Sequence, residues 1–77
     1  MKDMIGRELA VGDFVGFYGN LYEVKSLGAV AISGHGYASI MIHPASKSSR
    51  PVRKYSREMV RIPAEDVTLH LLKQGRL

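Results

Sequence analysis

The chain has 77 residues, no cysteine, no tryptophan and a formal charge of +4, with 45% hydrophobic and 23% charged residues. That length makes one domain, which buries only about 60% of the surface its unfolded chain exposes, and the proportions argue against wholesale disorder. The lack of cysteine excludes a disulfide framework and a thiolate zinc site.

The opening MKDMIGREL carries charges at Lys2, Asp3, Arg7 and Glu8 and no apolar run, so no secretory leader is expected. Residues 1–8 are expected to fray. Val11-Gly12-Asp13 reads as a turn leading into a first strand over Asp13–Tyr18, which is rich in aromatic and β-branched residues. Alternation along it sends Phe14 and Tyr18 to one face and Val15 and Phe17 to the other. Both faces cannot be core in so small a domain unless the strand bends, so one pair is expected to be partly exposed.

Gly19-Asn20 makes a tight turn. Leu21–Lys25 then alternates, with Tyr22 and Val24 on one face and Glu23 and Lys25 on the other, the mark of a half-buried strand. Gly28 predicts a bend or bulge before Ala29–Ile32 continues the strand. Ser33-Gly34-His35-Gly36 reads as a turn, and Ser39–His43 as a third strand with Ile40 and Ile42 pointing one way. The stretch from Ser26 to Ser46 has no Asp, Glu, Lys or Arg. Gly28, Gly34, His35, Gly36, His43 and Pro44 interrupt it too often for a membrane span.

Residues 44–51 (PASKSSRP) are polar, serine-rich and bracketed by prolines, which predicts a mobile loop. Val52–Ile62 reads as a fourth strand with a kink or late start near Glu58. A regular strand would put Arg53, Tyr55, Arg57 and Arg61 on one side. Pro63, Glu65, Asp66, Lys73 and Gly75 look like helix punctuation. Val67, Leu69 and Leu71, however, share one face only as a strand. The reading is a short 3-10 turn over Pro63–Asp66, a closing strand over Val67–Leu72, and fraying over 73–77. The expected fold is all-β: a five-stranded small barrel filling residues 1–77 as a single domain.

Three segments together, Leu9-Ala10-Val11-Gly12-Asp13-Phe14-Val15, Leu21-Tyr22-Glu23-Val24 and Val60-Arg61-Ile62-Pro63-Ala64-Glu65-Asp66-Val67, resemble an SH3-like small β-barrel. More narrowly, the chain is similar to short bacteriophage-encoded barrels with a GRELxVGDxV opening and an R-x-P-x-x-x-V turn before the last strand. Most of that family is uncharacterised. Its KOW-type relatives imply an association with nucleic acid or transcription. The chain departs from signalling SH3 domains in lacking tryptophan and an ALYDY-like string, and from KOW domains in lacking their full glycine pattern. No binding residue is carried over.

Charge is unevenly spread. Residues 1–46 sum to −1 and residues 47–77 to +5, and five basic residues fall between Lys47 and Arg57 with no acid among them. Lys47, Arg50, Arg53, Lys54, Arg57 and Arg61, with Tyr55 set among them, are the candidate nucleic-acid contacts: basic groups hold phosphates with release of counterions, and an aromatic can stack on a base. The same residues could be a solvated edge strand that resists aggregation, or could meet an acidic protein surface with Phe17 or Tyr18 as anchor.

His35, His43 and His70 fit no ligand spacing, so no metal or other cofactor is expected. No nucleophile motif, paired carboxylates or phosphate-cradling glycine fingerprint is present, so no enzyme is expected. The expectation is a non-enzymatic, phage-encoded module of the host cytoplasm that contacts DNA or RNA with weak sequence selectivity. The alternatives are an adaptor or inhibitor on a host protein, and a minor virion component.

Overall fold

The structure is a computed structural model that describes residues 1–73. Its elements are β1 (Phe14–Phe17), β2 (Asn20–Val30), β3 (Gly36–Ile42), β4 (Val52–Tyr55), a 3-10 turn (Ser56–Glu58), β5 (Val60–Ile62) and the helix α1 (Ala64–Lys73). The five strands form one antiparallel sheet in the order β4-β3-β2-β1-β5. β1 to β4 are a meander, and the 3-10 turn returns the chain so that β5 pairs with β1. The sheet is not closed: β4 and β5 are its two edges.

The expected closed five-stranded barrel is therefore not formed, and two strand expectations are corrected with it. The fourth strand does not run through from Val52 to Ile62, because Ser56–Glu58 turns away and divides it into β4 and β5. Ser56 is fully buried there, and its Oγ accepts the Gly36 N–H at 3.1 Å. That bond fixes the turn against the start of β3. The second correction concerns Val67–Leu72, which is helix rather than a closing strand. Val60–Ile62 takes the place beside β1. Pro63, Glu65 and Asp66 act as the helix start that their residue types signal. Residues 74–77, expected to fray, lie outside the described residues.

One face of the sheet carries the core, formed by Val15, Phe17, Val24, Ala38 and Ile40 together with Leu9 and Met59; Met1, Tyr22 and Leu27 pack against it. Leu21 is also fully buried, but it pairs with Gly16 on the opposite face. Both faces of β1 are thus partly covered, and Phe14 packs edge-on against His43 at 4.8 Å.

Tyr18 (φ 46°) and Gly19 (φ 82°) connect β1 and β2 with two consecutive positive φ values. This is the I′ geometry whose twist matches a hairpin. A β-bulge near Gly28 shifts the register of β2 against β3, as the sequence predicts. The two strands touch closely there. A Cβ on Gly28 would lie 2.9 Å from the Tyr37 carbonyl oxygen, and one on Gly36 would collide with the Ala29 carbonyl.

The first eight residues, expected to fray, fold back against the sheet. Lys2 bridges Glu8, the Lys2 N–H donates to Gly34, and the Met4 N–H donates to Met59. Asp3 is fully buried at the centre of this turn. Its carboxylate accepts the N–H groups of Ile5 (3.0 Å), Arg7 (2.8 Å) and Arg61 (2.7 Å). The outer edge of β5 is therefore covered by the chain's own N-terminus.

Candidate nucleic-acid interface

The basic residues proposed from sequence divide into three groups. Lys47 and Arg50 are exposed in the loop before β4, where Ser46 and Ser49 close a local turn: the Ser46 N–H donates to Ser49 Oγ at 2.8 Å, and the Ser49 N–H to the Ser46 carbonyl at 3.0 Å. Arg53 and Lys54 lie on β4. Arg57 lies exposed in the 3-10 turn and Arg61 on β5, at the other edge of the sheet.

The expected single stripe of Arg53, Tyr55, Arg57 and Arg61 is not formed, since the buried Ser56 breaks the alternation. Arg61 is bound elsewhere. Its Nε donates to Asp13 Oδ2 at 3.3 Å, and its carbonyl accepts from the Arg7 guanidinium at 3.1 Å. Among the described residues the ion pairs are Met1–Glu8, Lys25–Glu23 and Arg61–Asp13. Among the described residues no carboxylate lies in an ion pair with Lys47, Arg50, Arg53, Lys54 or Arg57.

β4 projects its two central charges to opposite sides of the sheet. Arg53 pairs with Ser39 on the face away from the core. Lys54 pairs with Ala38, and its Nζ sits 5.8 Å from the centre of the Phe17 ring. Positive charge therefore borders the open edge of the sheet on both flanks, rather than covering one face. Pro51 and the shortness of β4 further blunt this edge against self-pairing.

The outer face of β3 and β4 carries an aromatic ladder. Tyr37 and Tyr55 are directly opposed partners with ring centres 5.2 Å apart, and His35 lies 6.3 Å from Tyr55. The Arg53 guanidinium sits 5.2 Å from the centre of the Tyr37 ring. At such partly exposed sites a cation over an aromatic face contributes about 0.5–1 kcal/mol and orients the cation. Beside this ladder an open cleft of about 200 Å³ is lined by Ser26, Leu27, Gly28, Tyr37, Ser39 and Arg53. Gly28, at the β2 bulge, thus contributes bare backbone to the lining.

Tyr55, expected to be the stacking residue, is half-buried between Tyr37 and His35, whereas Tyr37 is 49% exposed. The signal for Tyr37 was in the sequence: Tyr37-Ala38-Ser39-Ile40 alternates two residues ahead of the predicted strand start. Of the two residues proposed as protein anchors, Tyr18 is 78% exposed. Phe17 is 6% exposed and belongs to the core, so it offers no anchor.

His35 Nε2 lies 3.1 Å from the Asp3 carbonyl, and His43 packs on Phe14. The side chain of His70 lies outside those described. Among the described residues no group of three His, Cys, Asp or Glu could hold a metal ion, and no helix is long and apolar enough to cross a membrane. No family model, curated protein or solved structure matches the chain.

Proposed function

We propose that the protein is a non-enzymatic, phage-encoded binding module of the SH3-like type that contacts nucleic acid in the host cytoplasm through its β4 edge. The SH3-like part of this reading is supported by the four-strand meander followed by a 3-10 turn that returns β5 to β1. The phage origin rests on the resemblance of the Leu9–Val15 and Val60–Val67 segments alone.

One observation carries the functional reading. Arg50, Arg53, Lys54 and Arg57 are exposed along one connected segment with no carboxylate partner among the described residues, while Arg61 is paired with Asp13. Unpaired cations clustered beside aromatic rings attract phosphates and release counterions from them. Titration of DNA and RNA oligomers at several salt concentrations tests this. The slope of log affinity on log salt is expected at about −0.9 per phosphate contact on a duplex and −0.7 on a single strand. Absence of binding at low salt would refute it.

The second reading is an acidic protein partner that adds a strand to β4. The asymmetry of the edges favours it: the N-terminal turn covers β5, and among the described residues no strand pairs with the outer side of β4. Tyr18 would then be its exposed aromatic. Retention of a purified partner after nuclease treatment separates this reading from the first.

A further inference from the structure

We infer that the cleft beside Tyr37 holds one unpaired nucleobase, which makes single-stranded nucleic acid the ligand class of this module. The inference rests on the nucleic-acid reading above and adds a site to it. The cleft combines three features. Its wall is a half-exposed tyrosine ring, held edge-on by Tyr55 across the β3–β4 pair. The Arg53 guanidinium, with no carboxylate partner among the described residues, lies over that ring. Ser26 and Ser39, partners in the β2–β3 register, both line it.

Each feature matches one part of a nucleotide. A planar base gains contact by stacking on the tyrosine. The serine hydroxyls can donate to or accept from a base edge of any identity, which fits weak selectivity. Arg53 can turn from the ring to the phosphate at small cost, since a cation–π contact at an exposed site is weak. Bases in a duplex are stacked on their neighbours and would have to be extruded to enter. A strand with free bases enters without that cost, and the charges that flank β4 then track its backbone.

The experiment measures anisotropy of a short fluorescein-labelled single strand and of the duplex of the same sequence, at one fixed salt concentration. The proteins are the full chain and its Tyr37→Ala, Tyr37→Phe and Ser26→Gln variants. Loss of one base stack is expected to weaken single-strand binding of Tyr37→Ala by about tenfold, with duplex binding unchanged. Tyr37→Phe keeps a ring and keeps the affinity.

Ser26→Gln fills the cleft from an exposed position, so it is expected to weaken single-strand binding without disturbing the core. It decides the matter if Tyr37→Ala does not fold. Wild-type protein that binds nucleic acid, with variants that affect both ligands equally or neither, overturns the cleft and leaves the electrostatic reading standing. Wild-type protein that binds neither ligand refutes the parent reading and the cleft together.

Discussion

The Asp3 carboxylate accepts the backbone N–H of Arg61 at 2.7 Å, joining residues 58 positions apart. The same group holds the N–H groups of Ile5 and Arg7, so one side chain shapes the N-terminal turn and ties it to the outer edge of β5. This leaves β4 as the uncovered edge, and the proposed interface is built there.

Asp3→Ala should therefore lose more stability than most single changes. Three part-buried backbone donors would lose their shared acceptor, and the expected cost is about 2–4 kcal/mol. Asp3→Asn keeps one carbonyl oxygen and should fall between the two. Urea denaturation monitored by circular dichroism measures this, and an Asp3→Ala protein within about 0.5 kcal/mol of the parent would contradict the assigned role.

The β2–β3 crossing makes a second prediction. The Cβ of Gly36→Ala would meet the Ala29 carbonyl, and that of Gly28→Ala would meet the Tyr37 carbonyl at 2.9 Å. Neither obstacle is a flexible side chain, so the strands must separate. Gly36→Ala is expected to abolish cooperative unfolding or to cost more than about 3 kcal/mol, and Gly28→Ala to cost about 1–3 kcal/mol. Thermal melts order the two variants.

How far these features could be read from sequence depends on the range of the interactions that set them. β1, the alternating start of β2, the bulge at Gly28 and the loop over 44–51 follow from neighbours within a few residues, and they were legible. The division of the fourth strand was not, because Ser56 turns inward to reach Gly36, 20 residues away. Asp3 is the extreme case: nothing beside it announces a partner at Arg61. The C-terminal segment misled for a different reason. Burial normally writes helical periodicity into a sequence, but Leu69 and Leu72 are 53% and 58% exposed. With those two leucines exposed, the alternation of Val67, Leu69 and Leu71 looked like a strand, and the polar punctuation around it was the truer guide.

Tyr18 offers a test that separates stability from binding. Its φ of 46° lies where a side chain with a Cβ is disfavoured by about 1–2 kcal/mol, and its ring is mostly exposed. Asparagine tolerates this conformation and is favoured in I′ turns. Tyr18→Asn should raise stability by about 0.5–1 kcal/mol, with the loss of the edge contact to Phe17 as a partial offset. Nucleic-acid affinity should not change if the ligand lies along β4. A more stable protein with weaker oligonucleotide binding would place Tyr18 in the interface.

The last prediction contrasts two arginines that the sequence treats alike. Arg53 has no carboxylate partner among the described residues and lines the cleft, whereas Arg61, on the opposite edge strand, is half-exposed and bonded to Asp13. If phosphates are met along β4, Arg53→Gln should reduce the slope of log affinity on log salt by about 0.9 on duplex DNA or 0.7 on a single strand. Arg61→Gln should leave the slope unchanged. Its effect should appear in stability instead, and be small: solvent-exposed pairs of this kind contribute about 0–1 kcal/mol. Measuring both variants against the same oligonucleotide across a salt series resolves the two behaviours. Equal slope changes would mean that Arg61 leaves Asp13 for phosphate, and the interface would then extend beyond β4 to the other edge of the sheet.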